Sequence, residues 1–192
     1  MNSEELLGRY AAGERNFRDT DLFRAELSNA NLSGSSLFRA NLFRANLFRA
    51  NLLGVNFFNA TLMGANLYCA NLSGANLSGA NLAKADLRGA DLSGTDLHGA
   101  DLSGAILSGA NFSYADLSKS TLLKAELIDA TLTHANLKGA NLKRANLTNA
   151  IVHDAVFVKA MGLAFDVLSD LKQQGAILEE ANPQHQVNAA LC

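Results

Sequence analysis

The chain has 192 residues, 48% of them hydrophobic, a net charge of −2, no Trp, one Pro and 15 Gly. That is enough apolar mass for one domain, and the near-neutral balance excludes a partner selected by bulk charge. Cys69 and Cys192 are too few and too far apart for a disulfide framework or a metal-type spacing, and no apolar run approaches the roughly 18 residues that span a bilayer.

Residues 1–15 read as a short helical cap. Asn2 or Ser3 supplies an N-cap, Glu4 and Glu5 place acids in the first turn, and Leu6, Leu7 and Tyr10 give an apolar stripe ending near Gly13. The early acids and the lack of a long apolar run are unlike a signal peptide, so a reducing, cytoplasmic setting is expected.

From Phe17 to Phe157 every fifth residue is apolar, twenty-nine steps without a frame shift, and most are Leu. Two places before each stands a small residue, usually Ala; Thr20, Ser35, Val55, Thr95 and Ser120 are small or β-branched exceptions. Arg15 is the large exception and is expected to lie outside the regular structure. A helix turns about 100° per residue, so a step of five would scatter the leucines around the cylinder. A straight strand alternates with period two, so an odd step would send every second Leu to the wrong face. The pattern is satisfied when each pentad contains one corner, with the small residue and the central Leu pointing inward and the residues flanking the Leu pointing out. Repeated corners of one hand coil the chain, and successive coils stack as parallel β-bridges.

Residues 161–178 read as a second cap, with Leu163, Val167, Leu168 and Leu171 at helical spacing, Gly175 as a stop, and Ala176 to Leu178 tucking back. Residues 179–192 are expected to be a disordered tail.

Tandem A(N/D)LXX units, as in ANLSGANLSGANL at 70–82 and ADLRGADLSG at 85–94, resemble the pentapeptide repeat family over about three quarters of the chain. The cap sequences are similar to those of cyanobacterial members. The resemblance implies an all-β solenoid: a right-handed, four-sided parallel β-helix with 20 residues per coil, hence about seven coils over 16–160, between short N- and C-terminal α-helical caps.

With that coil length the stretch LFRANLFRANLFRAN, residues 37–51, becomes informative. Phe38, Phe43 and Phe48 follow their leucines and are expected outside, with Arg39, Arg44 and Arg49 at the corners. Phe23, Phe43 and Met63 form one column, Phe38 and Phe58 a second, Phe48 and Tyr68 a third, with Leu53 on the fourth side and Arg24 stacked on Arg44. From Ser73 to Ser118 the same outward site is mostly Ser, as at Ser73, Ser78, Ser93, Ser103 and Ser108. An aromatic belt rimmed by arginine reads either as coil-to-coil stacking under arginine stems, or as a protein-docking surface. Phe23, Phe38, Phe43, Phe48, Phe58, Arg24, Arg39, Arg44 and Arg49 are the candidate contact residues, and a second copy of the chain is an alternative occupant.

No other constellation carries chemistry. Asp86, Asp91, Asp96 and Asp101 would ring one coil on four different sides, where they cannot converge on one cation and are better read as hydrogen-bonding nearby backbone. His134, His153 and Asp154 lack a further ligand; His98 stands alone, His185 is in the tail, and Cys69 is a corner residue. The serines have no His and acid beside them, and no phosphate or dinucleotide fingerprint occurs, so neither an enzyme nor a small-molecule substrate is expected. Lys84, Lys119, Lys124, Lys138, Lys143 and Arg144 read as scattered over several corners, which argues against nucleic acid.

A non-catalytic scaffold that regulates an unidentified protein is the reading that remains. The alternative implied by the resemblance is a DNA-mimicking modulator of a type II topoisomerase such as gyrase. Such mimicry needs a persistently acidic surface. Residues 17–160 instead carry thirteen Lys and Arg against eleven Asp and Glu, without the frame breaks and inserted loops of topoisomerase-protecting members.

Overall fold

The structure, a computed structural model, describes residues 1–178. The tail expected at 179–192 lies outside the described residues. From Asn16 to Asn141 every fifth residue forms a parallel β-bridge with the residue 20 positions later: Asn16 with Ser36, Asp21 with Asn41, and so on to Asn141 with Met161. Four bridges in each 20-residue circuit make four sides, so the chain is a four-sided parallel coil.

One pentad shows how the sequence produces this. In Ala40–Asn41–Leu42–Phe43–Arg44, Ala40 and Leu42 are fully buried and Asn41 between them faces out, which is ordinary strand alternation over three residues. Phe43 and Arg44 then make a turn, closed by the Ala45 N–H donating to the Leu42 carbonyl at 3.0 Å. The turn's second residue has positive φ throughout the solenoid, 55° at Arg44 and 65° at Gly79, which is why glycine recurs there. Between coils the Leu42 N–H donates to Thr61 O (2.7 Å), the Arg44 N–H to Met63 O (3.0 Å), and the Asn41 N–H to Thr20 O (2.9 Å).

The Asn/Asp position completes the scheme twice over. Its Oδ1 accepts the N–H two residues on, as from Phe43 to Asn41 (3.2 Å) and from Ser93 to Asp91 (3.0 Å). In several coils its amide also donates to the same position one coil earlier, as from Asn41 to Asp21 (2.8 Å) and from Asn111 to Asp91 (3.1 Å). The hydroxyls at the inward small position are also satisfied: Ser35, Thr95 and Ser120 are buried and donate to the carbonyls of Leu32, Leu92 and Leu117 at 2.6, 2.7 and 2.7 Å. A polar exception inside the leucine stack therefore leaves no donor stranded.

Helix α1 (Ser3–Ala11) starts at Asn2, whose Oδ1 accepts from the Glu5 N–H at 2.8 Å. Leu6 is fully buried in the leucine core and the Tyr10 hydroxyl donates to Ser33 O (3.0 Å). Arg15 departs from expectation: its side chain lies over the Tyr10 ring, yet its carbonyl accepts from the Ser36 N–H (2.6 Å), so its backbone already belongs to the ladder.

After Met161 the chain leaves the ladder, runs through α2 (Phe165–Gln173) and returns at Ile177, which pairs with Val156. Leu171 is the buried residue of α2, while Phe165 is 87% exposed. Helix α2 takes the place of the coil that would cover residues 145–149, so Ala145 and Leu147 are only partly buried. A cleft of about 570 Å³ separates them from Leu163, Val167 and Leu171.

Candidate protein-docking surface

The aromatic and arginine residues are the two central residues of the turns, and this corrects the expected picture. The pair occupies a corner together, with turns at 23–24, 38–39, 43–44 and 48–49, while the outward residue of each flat side is the Asn/Asp position. The physical reason is that a three-residue side already uses up the strand alternation, leaving two residues for the bend. The belt is thus a set of corner columns.

Coil stacking brings the rings together. Phe23 and Phe43 lie with centroids 5.8 Å apart and planes within 6°, Phe38 and Phe58 at 5.6 Å and 9°, Phe48 and Tyr68 at 5.8 Å and 12°. These three columns run down three different corners; Leu53, 48% exposed, stands on the fourth. Phe38, Phe43 and Phe48 are half-buried by their neighbours, whereas Phe23 and Phe58 are 50% and 37% exposed.

Arginine covers the rings. The Arg24, Arg44 and Arg49 guanidinium groups sit 5.1, 5.2 and 5.0 Å from the centroids of Phe23, Phe43 and Phe48. Arg39 does otherwise: it pairs with Asp19 at 3.2 Å, and Phe38 is covered by Arg18 at 4.4 Å. Each such contact is worth about 0.5–1 kcal/mol at an exposed site. Stacking and covering therefore supply a structural use for the belt without removing its exposed rims. The composition, aromatic rings under guanidinium groups, is that of protein contact surfaces.

The remaining constellations are local. Asp86, Asp91, Asp96 and Asp101 each accept the N–H two residues on. Asp86 is also gripped by Arg88 through Nε and Nη2 at 2.9 and 2.6 Å, and those bonds hold its carboxyl below the usual carboxylate range. His134 stacks on Tyr114 with centroids 4.8 Å apart, and Asp154 lies 3.6 Å from His134 Nδ1 and 3.1 Å from His153 Nε2. His98 Nδ1 is 2.9 Å from Ser118 Oγ. Cys69 is exposed, at φ 55°. Among the described residues no group of three His, Cys, Asp or Glu side chains is placed to hold a metal, and no helix is long and apolar enough to cross a membrane.

A four-sided coil of parallel bridges with a Leu-centred five-residue unit defines a class of solenoid, and the comparisons agree with it. The sequence model of pentapeptide repeats matches residues 16–39, 40–79, 70–109, 85–122 and 125–160. The chain belongs to the pentapeptide repeat family, and its solenoid is the right-handed β-helix of that family. Among solved structures it is similar to HetL, a pentapeptide repeat protein involved in heterocyst differentiation regulation from the cyanobacterium Nostoc sp. strain PCC 7120. The identity is 30% and the TM-score 0.58, over 93% of this chain and 94% of HetL. It is also similar to trypsin-treated QnrB1, a plasmid-mediated fluoroquinolone resistance protein, at 21% identity and TM-score 0.59, over 91% of this chain and 89% of that one. The second likeness is one of fold alone. No curated protein sequence matches the chain.

Proposed function

We propose that the chain is a non-catalytic scaffold of about seven coils over residues 16–160, closed by helical caps at 1–15 and 161–178, that regulates another protein by binding it through the Phe/Arg corners of its first coils. The observation that carries this reading is the confinement of Phe23, Phe38, Phe43, Phe48 and Phe58 to those coils. From residue 73 to 118 the same turn site is Ser in seven of ten units, such as NLSGA, and these units keep the same bridges without aromatic rings in place of the Ser. Exposed rims of Phe23 and Phe58 beside guanidinium groups suit a partially apolar partner. The regulatory role named for HetL is consistent with such a scaffold. Imitation of DNA is opposed by the surplus of Lys and Arg in the solenoid.

The test is affinity capture from native lysate with the wild-type chain and with a Phe38→Ser, Phe43→Ser, Phe48→Ser variant. A partner retained by the first and lost by the second is expected. Identical captures from two equally folded proteins would make the belt a packing device only.

A further inference from the structure

The 20-residue register gathers charges that are far apart in sequence. The corner holding Arg24 continues through Arg44, Gly64, Lys84, Gly104, Lys124 and Arg144, all at the same backbone station with φ from 52° to 65°. The stems lean along this edge: a Cβ on Gly64 would meet Arg44 Cγ at 3.4 Å, and one on Gly104 would meet Lys84 Cγ at 3.8 Å. Lys143, the other turn residue beside Arg144, adds a sixth cation to an edge about 29 Å long at roughly 4.8 Å per coil. The neighbouring corner carries Arg18, Arg39, Lys119, Lys138 and Lys159.

Eleven of the thirteen Lys and Arg of residues 17–160 thus border one of the four sides, with Arg49 and Arg88 on the next corner and none on the last. All eleven are exposed. Of the eleven acids only Asp19, Asp21 and Asp101 lie on this side, and among the described residues Asp19 with Arg39 is the one ion pair there. The expectation of scattered lysines is therefore corrected: Lys84, Lys124 and Arg144 share one edge, and Lys119, Lys138 and Lys159 share the next.

We propose that this basic side docks a protein partner presenting an elongated acidic surface, with Phe23, Phe43, Phe38 and Phe58 at its N-terminal end supplying the apolar part of the contact. The proposal rests on the docking function above and deepens it, selecting two of the three aromatic corners and giving the partner's charge. Charge complementarity over a rigid edge steers and orients such a complex. Arg18, Arg24 and Arg44 are held over rings, which fixes them as a pattern for discrete carboxylates. Nucleic acid fits less well, because the ring faces that would receive bases are occupied by one another and by guanidinium groups. A lipid surface fits less well, because half-buried, stacked rings are not free to enter it.

Poly-L-glutamate is the probe, measured against the full chain by fluorescence anisotropy, with duplex DNA and phosphatidylserine vesicles as parallel arms. Saturable binding of polyglutamate is expected, weakened about tenfold or more by Lys84→Glu, Lys119→Glu, Lys124→Glu together and by raising salt from roughly 50 to roughly 200 mM. Ser93→Glu with Thr133→Glu, on the corner that carries no Lys or Arg, is expected to change it less than about twofold. A Lys84→Gln, Lys119→Gln, Lys124→Gln variant serves if the reversed charges impair folding. No binding, equal loss in both variants, or tighter binding of DNA or vesicles through the same three side chains would overturn the proposal. The variants leave every aromatic ring in place. The basic side can therefore fail while Phe-dependent capture persists, and polyglutamate binding can persist while capture fails.

Discussion

At the scale of the residue, the turn is where sequence and backbone disagree most. A side chain in the left-handed region costs roughly 1–2 kcal/mol relative to the right-handed one, and glycine escapes that cost while giving the unfolded chain more freedom to lose, about 0.4–1 kcal/mol. Cys69 stands at φ 55°, exposed and without a ring or carboxylate to hold. Cys69→Gly should raise the unfolding free energy by about 0.5–1 kcal/mol, read as a higher denaturant midpoint at unchanged slope. Gly89→Ala, on the same corner one coil on, should do the reverse. It meets the same backbone at φ 62° and brings a Cβ to 3.3 Å from the Cys69 sulfur. Where a non-glycine turn residue has a partner, the balance differs. Arg44 gains a ring and Arg39 an aspartate, so replacing either by glycine removes a contact as well as strain.

At the scale of the element, α2 is held by little of its own. Leu171 is its one buried residue, and its placement depends on the close approach of the preceding segment to the last coils. Gly162 makes that approach, with φ 84° and no room for a side chain: a Cβ would fall against the Lys143 backbone, 2.6 Å from its nitrogen. Gly162→Ala should therefore displace α2 at a cost of roughly 2 kcal/mol or more while the coils below stay folded, and limited proteolysis should cut between residues 162 and 175 faster than in the wild type. Both helices were legible from their caps and apolar spacing, because a short amphipathic stripe beside an open coil has one dry place to go. The cleft beside Leu147 was not. The unit ANLTN at 145–149 is a regular pentad, and its incomplete burial comes from what fails to lie above it.

At the scale of the molecule, the period of five was readable because parity admits no other backbone, whereas the ridge formed by Arg24, Arg44, Lys84, Lys124 and Arg144 emerges only when pentads are stacked in register. The same stacking governs how the rod comes apart. Each coil contacts only its neighbours, so a central coil is held from both directions and a terminal one from a single direction plus its helix. Leu82 is fully buried in mid-rod, and Leu82→Ala should cost about 2–5 kcal/mol and lower the protection of coils on both sides. Leu147 has the cleft on one side, so Leu147→Ala should cost less, roughly 1 kcal/mol, and leave central protection unchanged. Native-state hydrogen exchange resolves the two, since the Leu82 N–H donates to Asp101 O and reports its own coil contact. Equal effects at the two sites would mean that the rod opens as one indivisible unit, and that the uncovered edge at residues 145–149 is no weaker than the centre.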